Sequence, residues 1–359
     1  MKRLMNIRAK KVSVSRRRRN VFRVFRYGIL VGIGVFLYAV FWPRTYGSPV
    51  FERHNVQYWE LQTGSGIAYN LIPGKGHKHP YPIIFLEGGP GGPVSDGAVK
   101  FRSFLADDGY DVYLYDLVGC GLSSRLRNIR EYTPERHKRD LEEIVERTGA
   151  GKVILIGQSW GAMLAVLYAT DHPGKLAKMI FTGPGPILPI HSELSYLPAP
   201  DSLHLRKPYY SNQQGNDLAN NIRTRAMAFC AKHFGIKLAP DKEADDFASY
   251  LNTAVNRSVV ADTANIKKNG HLSGVGYYCQ VMTYASFGQV QDSRPRLKNL
   301  PVPVLVMKGQ YDNQPWGFTH EYLDLFPNHQ LVIIPAAGHA ISLEQPEYYR
   351  KIVREFLNK

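Results

Sequence analysis

The residues best suited to chemistry surround Ser159, in the pentapeptide GQSWG at residues 157–161. An apolar stretch, KVILI, precedes the pentapeptide, and a run of small and apolar residues follows it. A strand that turns sharply into a helix exposes a serine hydroxyl as a nucleophile, and the two flanking glycines leave room for the strained turn. The pattern therefore predicts acyl transfer through Ser159.

A second glycine-rich segment, PIIFLEGGPGGP at residues 82–93, also follows an apolar stretch. Acyl transfer passes through an oxyanion, which backbone N–H groups stabilise. We expect one donor at Trp160, at the start of the helix after the serine, and the second at Gly89. A phosphate-binding loop is the alternative interpretation, but the segment matches neither G-x-x-x-x-G-K-[ST] nor G-x-G-x-x-G.

A nucleophilic serine needs a general base and an acid that orients the base. Two later strand-like stretches, PVPVLVM and LVIIP, are followed by loops that contain Asp312 and His339. The order Ser, Asp, His is the one that accompanies this kind of serine turn. We therefore expect His339 to accept the Ser159 proton and Asp312 to hold the imidazole, whereas Asp116, in YDLVGCGLSS, is expected to order a turn.

The other eleven histidines are expected to be structural or exposed. No H-E-x-x-H motif or cysteine pair indicates a metal site, and the sequence predicts no metal and no cofactor. The eleven histidines for which no catalytic role is expected are His54, His77, His79, His137, His172, His191, His204, His233, His271, His320 and His329.

The elements that must position these residues alternate between strand and helix from about residue 50. Several strands are short, continuous apolar runs, which is typical of parallel strands buried on both faces. The pattern predicts an α/β fold with a mostly parallel eight-stranded sheet and helices on both faces. We expect helices at 134–147, 160–169 and 346–357, and strands at 56–61, 66–70, 83–86, 111–115, 152–156, 178–181, 302–307 and 330–334.

The alternation stops between residues 187 and 297. This stretch has helix-like parts at 216–233 and 244–251 and lies between two predicted sheet strands. We interpret residues 187–297 as a helical cap inserted into a hydrolase-like core made of residues 50–186 and 298–359.

The charge of the chain is concentrated at its start. The formal net charge is +15, and residues 1–26 contain eleven basic residues and no acidic one. The rest carries 34 basic against 30 acidic residues, which indicates no polyanionic partner. No nucleic-acid partner is therefore expected.

The basic block leads into an apolar stretch that favours a membrane anchor. Residues 27–42 lack charge but cover only about 24 Å, and starting at Val21 adds about 9 Å if Arg23 and Arg26 extend to the headgroups. A cleaved signal peptide is less favoured because no small-x-small site follows. A twin-arginine signal and a buried helix remain alternatives.

The positive-inside rule predicts the orientation of this anchor. Residues 1–20 form a basic cytoplasmic tail and residues 21–44 the single transmembrane segment. The catalytic part is then expected on the periplasmic or extracytoplasmic side, with the lipid bilayer as a partner through the N-terminal helix.

The motifs GGPGG, DLVGCGLSS, GQSWG, GQYD and GHA, in this order and spacing, resemble the proline iminopeptidase branch of the α/β-hydrolase fold. The resemblance covers residues 50–186 and 298–359. It implies a catalytic triad of Ser159, Asp312 and His339, with Gly89 and Trp160 as oxyanion donors. The implied activity is release of an N-terminal residue from peptides.

Two features depart from that family. Glu87 stands before GGPGG, where the family often has histidine. No cap carboxylates align with those that hold the substrate's amino group in the family, although the cap contains Glu193, Asp201, Asp217, Asp241, Glu243, Asp245, Asp246 and Asp262.

Two further functions stay open at this point. Cap aromatics suit an apolar ester as well as a peptide, so a carboxylesterase or lipase-like hydrolase of apolar esters is the first alternative. A non-catalytic membrane-tethered binding protein is the second. Cys230 and Cys279 both lie in the cap and form a disulfide in one hypothesis, with Cys120 unpaired; the oligomeric state is not predicted.

Overall fold

The computed structural model of the chain describes residues 2–266 and 272–359, with side chains from residue 20 onward. His271, for which we expect no catalytic role, lies outside the described residues.

Eight strands form one sheet in the order β1-β2-β4-β3-β5-β6-β7-β8. The β1–β2 and β2–β4 pairs are antiparallel, and the other five pairs are parallel. The mostly parallel eight-stranded sheet predicted from the sequence is therefore confirmed. The strands are β1 Gln57–Glu60, β2 Gly66–Ile72, β3 Ile83–Leu86, β4 Val112–Tyr115, β5 Val153–Gln158, β6 Leu176–Thr182, β7 Val304–Gly309 and β8 His329–Ile334.

The helices pack on both faces of the sheet, and each face has its own apolar cluster. Ile84 and Leu155 belong to one cluster, and Phe85 and Ile156 belong to the other, as the alternation of side chains along a strand requires. The helices are α1 Lys2–Phe41, α2 Asp96–Asp107, α3 Pro134–Arg147, α4 Trp160–Asp171, α5 Asn212–Ala219, α6 Ile222–Phe229, α7 Asp241–Val255, α8 Tyr277–Ala285, α9 Arg294–Leu297, α10 Trp316–Leu325, α11 Ile341–Glu344 and α12 Pro346–Leu357.

Local signals place α3 well. Thr133 precedes the helix and its side chain accepts a hydrogen bond from the Arg136 N–H, and Pro134 occupies the first helical position. These are the two devices that start a helix efficiently, an N-cap hydroxyl and a ring that lacks an N–H. The predicted bounds of α3 and of α12 are confirmed.

The helix-like stretch predicted at 216–233 is divided between separate helices. Helix α5 ends at Ala219, and α6 begins at Ile222. The break follows from two asparagines: Asn220 is extended, and the Asn221 side chain accepts hydrogen bonds from the Arg223 and Thr224 N–H groups. Asparagine caps helices better than it continues them, because its side chain competes for backbone donors.

The residues between β6 and β7 contribute only helices, turns and loops among those that the structure describes. Helices α5 to α9 all lie in this stretch, which agrees with a helical insertion between two neighbouring strands of the sheet.

The N-terminal helix contains one segment, Asn20–Phe41, that is long and apolar enough to cross a membrane. Its side chains are mostly exposed, so it is not a core helix of the described fold. Val40, near its end, is the exception and is 6% exposed.

Candidate active site

Ser159 lies in a strained turn between β5 and α4. Its φ of 53° and ψ of −112° fall where residues with a side chain rarely lie. A Cβ added at Gly157 would lie 2.5 Å from the Ala162 nitrogen, and one at Gly161 would lie 2.0 Å from the Leu86 oxygen. Only glycine fits at these two positions, which explains the spacing of the pentapeptide.

Asp312 and His339 meet at the carboxyl ends of β7 and β8. The Nδ1 atom of His339 lies 2.8 Å from Oδ1 of Asp312. Both residues are buried. The structure therefore brings together the two residues that the sequence assigned as base and acid, from loops that follow neighbouring parallel strands.

The end of β6 connects Ser159 to this pair. The Ser159 N–H donates to the Thr182 carbonyl at 3.0 Å. The next residue, Gly183, has φ +51°, and a Cβ there would lie 2.8 Å from His339 Nδ1 and 3.3 Å from Asp312 Oδ2. The backbone at Thr182 and Gly183 therefore lies next to Ser159, His339 and Asp312.

A buried lysine lies beside Asp312. Lys308 Nζ is 3.4 Å from Asp312 Oδ2 and donates to the Gln314 carbonyl at 2.8 Å. Burial by itself raises the pKa of Asp312, but Lys308 and His339 outweigh it and hold that pKa well below the usual range. Lys308 was not predicted from the sequence, although its position in the apolar stretch VLVMKG could have indicated a buried lysine.

The glycine-rich loop after β3 lies against Ser159. A Cβ at Gly88 would be 3.5 Å from the Ser159 Cβ. Gly89 has φ +126°, and its carbonyl accepts a hydrogen bond from the Tyr284 hydroxyl at 2.7 Å. Among the described residues, the N–H groups of Gly89 and Trp160 donate to no acceptor, so both are free to bind an oxyanion.

The Trp160 side chain is buried beneath the cap. Its ring stacks on Phe287 with centroids 5.4 Å apart and meets the His137 ring edge-on. His137 Nε2 lies 3.0 Å from the Thr283 hydroxyl, and burial lowers the pKa of this imidazole to about 3. His137 is structural, as expected, and it joins α3 to α8 under the site.

Asp116 orders a turn, which confirms the sequence interpretation. Its carboxylate accepts hydrogen bonds from Arg53 Nη1 at 2.8 Å, the Val94 N–H at 2.7 Å and the Leu122 N–H at 2.9 Å. These contacts hold the loops after β3 and β4 together. Because both of its oxygens accept hydrogen bonds in these loops, Asp116 has a structural role.

Glu87, the departure from the resembled family, is enclosed behind the glycine-rich loop. Arg102 Nη2 lies 3.7 Å from its Oε1, and the Arg102 guanidinium lies over the Phe85 ring at 3.3 Å. Burial raises the pKa of Glu87 although Arg102 opposes this effect. The Glu87–Arg102 pair braces the start of the loop from α2.

Glu344 joins the cap to the loop that contains His339. It accepts hydrogen bonds from the Gly338 N–H at 2.6 Å and the Ala261 N–H at 2.9 Å. The Asp262 N–H and the Asn265 amide each donate to Oε1 at 3.0 Å. The sequence analysis missed Glu344, and no local motif marks it.

Most acids of the cap already have partners. Glu193 and Asp201 are exposed in short turns near the start of the cap, and Glu193 Oε1 lies 3.8 Å from His191 Nδ1. The partnered acids are Asp217 with Gln213, Asp241 with Lys237, Glu243 with Arg223, Asp245 with Arg125, Asp246 with Lys242, and Asp262 with the Ala264 N–H.

A cleft of about 910 Å³ opens beside Asp312. One wall comes from the stretch after β6 and the other from the loop after β7. Its lining mixes aromatic, basic and amide side chains, among them Tyr209, Tyr210, Trp316, Arg206 and Asn313. The lining contains Asp312 but neither Ser159 nor His339, so this cleft lies to one side of the candidate nucleophile.

Among the described residues, no group of three or more His, Cys, Asp or Glu could hold a metal ion. All three cysteines are free in the structure, with Cys120 and Cys279 buried, so it does not contain the hypothesised bridge between Cys230 and Cys279.

This geometry agrees with comparisons to known proteins. A family model described as the alpha/beta hydrolase fold matches residues 81–346. The chain belongs to the alpha/beta hydrolase fold family. The resemblance inferred from the motifs is thereby confirmed, and the match includes the stretch between β6 and β7.

The sequence relatives of this hydrolase include proline iminopeptidases, and its structural neighbours include an esterase. The proline iminopeptidase of Heyndrickxia coagulans is 26% identical over 284 residues, which cover 77% of this chain and 90% of that protein. An esterase structure from Thermogutta terrifontis has a TM-score of 0.57 at 21% identity, covering 85% of this chain and 98% of that one. A proline iminopeptidase structure from Mycobacterium smegmatis has a TM-score of 0.53 at 22% identity, covering 87% and 98%.

The two structural neighbours share the fold with this chain. The family match and the sequence relatives support a serine hydrolase.

Proposed function

We propose that this protein is a membrane-anchored serine hydrolase in which Ser159, His339 and Asp312 form the catalytic triad. The hydrogen bond between His339 Nδ1 and Asp312 Oδ1, at the sheet edge where Ser159 lies, is the observation that carries the proposal. Because Nδ1 faces Asp312, the other ring nitrogen, Nε2, is left to exchange a proton with Ser159.

In the first half-reaction, Ser159 Oγ attacks the substrate carbonyl carbon while His339 Nε2 accepts the hydroxyl proton. The carbonyl electron pair moves onto oxygen, and the N–H groups of Gly89 and Trp160 bind that oxyanion. As the carbonyl re-forms, the bond to the leaving group breaks. His339 donates its proton to the leaving amine or alcohol, and an acyl-enzyme remains.

In the second half-reaction, water attacks the acyl-enzyme and His339 accepts a proton from that water. The Ser159 Oγ–carbon bond breaks, and the proton returns to Ser159. The carboxylic acid then leaves. Asp312 stays ionised throughout and stabilises the imidazolium, a role favoured by its lowered pKa.

For the substrate, we propose an N-terminal residue of a small peptide, as in the proline iminopeptidases that the chain resembles at 26% identity. The GGPGG and GQSWG motifs support this choice.

A small apolar ester is the second candidate, and a specific observation favours it. A free substrate amine needs a carboxylate partner, and most cap acids are engaged in pairs with other side chains or with backbone N–H groups. An ester has no such charge to satisfy.

The placement proposed for the protein follows the charge pattern. Residues 1–20 form a cytoplasmic tail, residues 21–44 anchor the chain, and the core (50–186 and 298–359) with its cap (187–297) lies on the extracytoplasmic side. Protease digestion of intact cells tests this orientation. Protection of the core until the membrane is opened would contradict it.

A fluorophosphonate probe tests the nucleophile. We expect covalent labelling of the full chain that disappears in Ser159→Ala, because the probe traps an activated serine. Ser195→Ala, which changes a serine in the lining of the cleft, is the matched control and should label normally. Persistent labelling of Ser159→Ala would overturn the assignment.

Substrate class is tested by comparing kcat/KM for a prolyl-arylamide with values for short-chain and long-chain aryl esters. A clear preference for the prolyl-arylamide supports the peptidase proposal. A preference for either ester supports the second candidate instead.

A further inference from the structure

The cap carries an exposed apolar surface around α6. Ile222, Phe229, Phe234 and Ile236 are between 42% and 56% exposed, and Leu218 is 69% exposed. Ile222 and Phe229 share one side of α6, because seven residues make nearly two helical turns. We name these five residues the cap apolar face.

Helix α6, which carries part of this face, contacts the end of the N-terminal helix. Arg223, 2% exposed and on a different side of α6, donates from Nη1 to the Val40 carbonyl at 2.6 Å. The same guanidinium forms two hydrogen bonds with Glu243, at 2.5 and 2.7 Å. Arg223 therefore satisfies a carbonyl at the last turn of α1 with a buried, paired charge.

The chain that leaves the helix is also held by the cap. Glu243 accepts the Arg44 N–H at 3.0 Å, and the Ser48 hydroxyl donates to the Asp246 carbonyl at 2.9 Å. The Tyr46 ring packs against Phe247 with centroids 5.1 Å apart. These contacts fix α6 and α7 to the exit of the candidate membrane span, so the cap cannot lie far from that exit.

The segment that carries the face is basic, although the exposed Asp217 precedes Leu218 and Asp241 pairs with Lys237. From Leu218 to Pro240 the chain has no acidic residue. Arg225 and Lys232 are exposed on α6 and just after it. An apolar helix side flanked by basic residues is typical of segments that lie in the headgroup region of a bilayer.

We propose that the cap apolar face rests in the bilayer interface, with Phe229 and its neighbours among the lipid acyl chains and Arg225 and Lys232 at the headgroups. This proposal rests on the proposed anchor, because the end of α1 sets the level of α6. Interfacial helices bury their apolar side about 5–10 Å into the bilayer, a depth that aromatic side chains reach.

Spin labels in the full chain test the proposal. The protein is reconstituted into vesicles of phosphatidylcholine with phosphatidylglycerol, with Cys230→Ser to remove the half-buried thiol. Single labels replace Phe229, Tyr58 and Val31. Tyr58, on the edge strand β1, is 60% exposed and serves as the matched aqueous position, and Val31 reports the span itself.

Collision rates with oxygen and with a water-soluble nickel chelate then report depth. We expect the label at 229 to lie about 5–10 Å below the phosphates, with high oxygen and low nickel accessibility, and the label at 58 to be aqueous. The label at 31 should lie deeper than both.

Each other outcome overturns the proposal in a distinguishable way. An aqueous label at 229 with a buried label at 31 ends the interfacial cap and leaves the anchor standing. Aqueous labels at both positions end the anchor as well. Spin–spin broadening at 229, with shielding from both oxygen and nickel, would show that a second copy of the chain covers the face.

Discussion

Lys308 Nζ lies 3.4 Å from Oδ2 of Asp312, while His339 Nδ1 lies 2.8 Å from Oδ1 of the same carboxylate. Each oxygen of this buried carboxylate therefore has its own partner. The Lys308 cation lies beside Oδ2, and the His339 ring lies beside Oδ1. This arrangement keeps Asp312 ionised and fixes the direction of its bond to His339.

Lys308→Met removes the cation beside Asp312 and should lower the free energy of unfolding by about 3 kcal/mol at pH 7, because a buried carboxylate loses its partner. The pKa of Asp312 is lowered in the native state, so its contribution to stability is present at neutral pH and lost as pH falls through that lowered value. In the variant this pKa rises, so the loss starts at higher pH. Urea denaturation at pH 7 and pH 4 measures both effects.

Lys178→Met is the matched control for this variant. Lys178 is on the neighbouring strand β6 and donates to the Phe356 and Leu357 carbonyls, away from Asp312. Lys178→Met should keep the wild-type difference in stability between pH 7 and pH 4, because it leaves Asp312 and its partners in place. Wild-type stability in Lys308→Met would contradict the role of the lysine.

Gly183→Ala should reduce kcat by about 100-fold, because the new methyl would lie 2.8 Å from His339 Nδ1 and displace the imidazole. Gly149→Ala separates this effect from backbone strain, since Gly149 also has positive φ but has open space around it. The control should lose about 1 kcal/mol of stability and retain its activity. Equal kcat values for the two variants would count against displacement of His339.

Glu344→Gln replaces one acceptor oxygen with a donor and should lower the free energy of unfolding by about 2 kcal/mol. Because Glu344 binds the Gly338 N–H, we also expect a lower kcat from misplacement of the neighbouring His339. Glu347→Gln changes an exposed glutamate paired with Arg350 and should alter stability by less than about 0.5 kcal/mol. Normal kcat in Glu344→Gln would leave this residue a purely structural role.

Acid should destabilise the protein through His137. Burial lowers the pKa of His137 to about 3, whereas an unfolded histidine titrates near 6.5, so between these values only the unfolded state gains the proton. Stability then falls as pH falls, by about 2 kcal/mol between pH 7 and pH 5 from this group. His137→Gln should lose this part of the pH dependence, as measured by urea denaturation at both pH values.

His77→Gln is the control for the acid effect, because His77 is exposed. It should keep the wild-type difference between pH 7 and pH 5. The same pH dependence in His137→Gln and the wild type would rule out His137 as its source.

Local patterns were enough to predict the sheet and the elements next to the site. The apolar runs around β3, β5 and β7 predicted buried parallel strands, and the bounds of α3 followed from Thr133 and Pro134. The helix boundaries in the cap were harder to predict. The pattern over 216–233 indicated helix but not the break before the helix that Asn221 caps. Helical periodicity does not reveal a break at which asparagine side chains bind the backbone between two helices.

The sequence by itself determined the strained turn at Ser159 and its glycines, because the atoms that would clash lie within a few residues along the chain or on the next strand. It also determined which loops contain Asp312 and His339, through the strands that precede them. Lys308 and Asp312 are only four positions apart, so their pairing is local. Only the tertiary structure placed Glu344 between the cap and the Gly338 loop, and Arg223 on the Val40 carbonyl. The cap contacts join residues up to 199 positions apart, and such pairs depend on the path of the whole chain rather than on any local spacing.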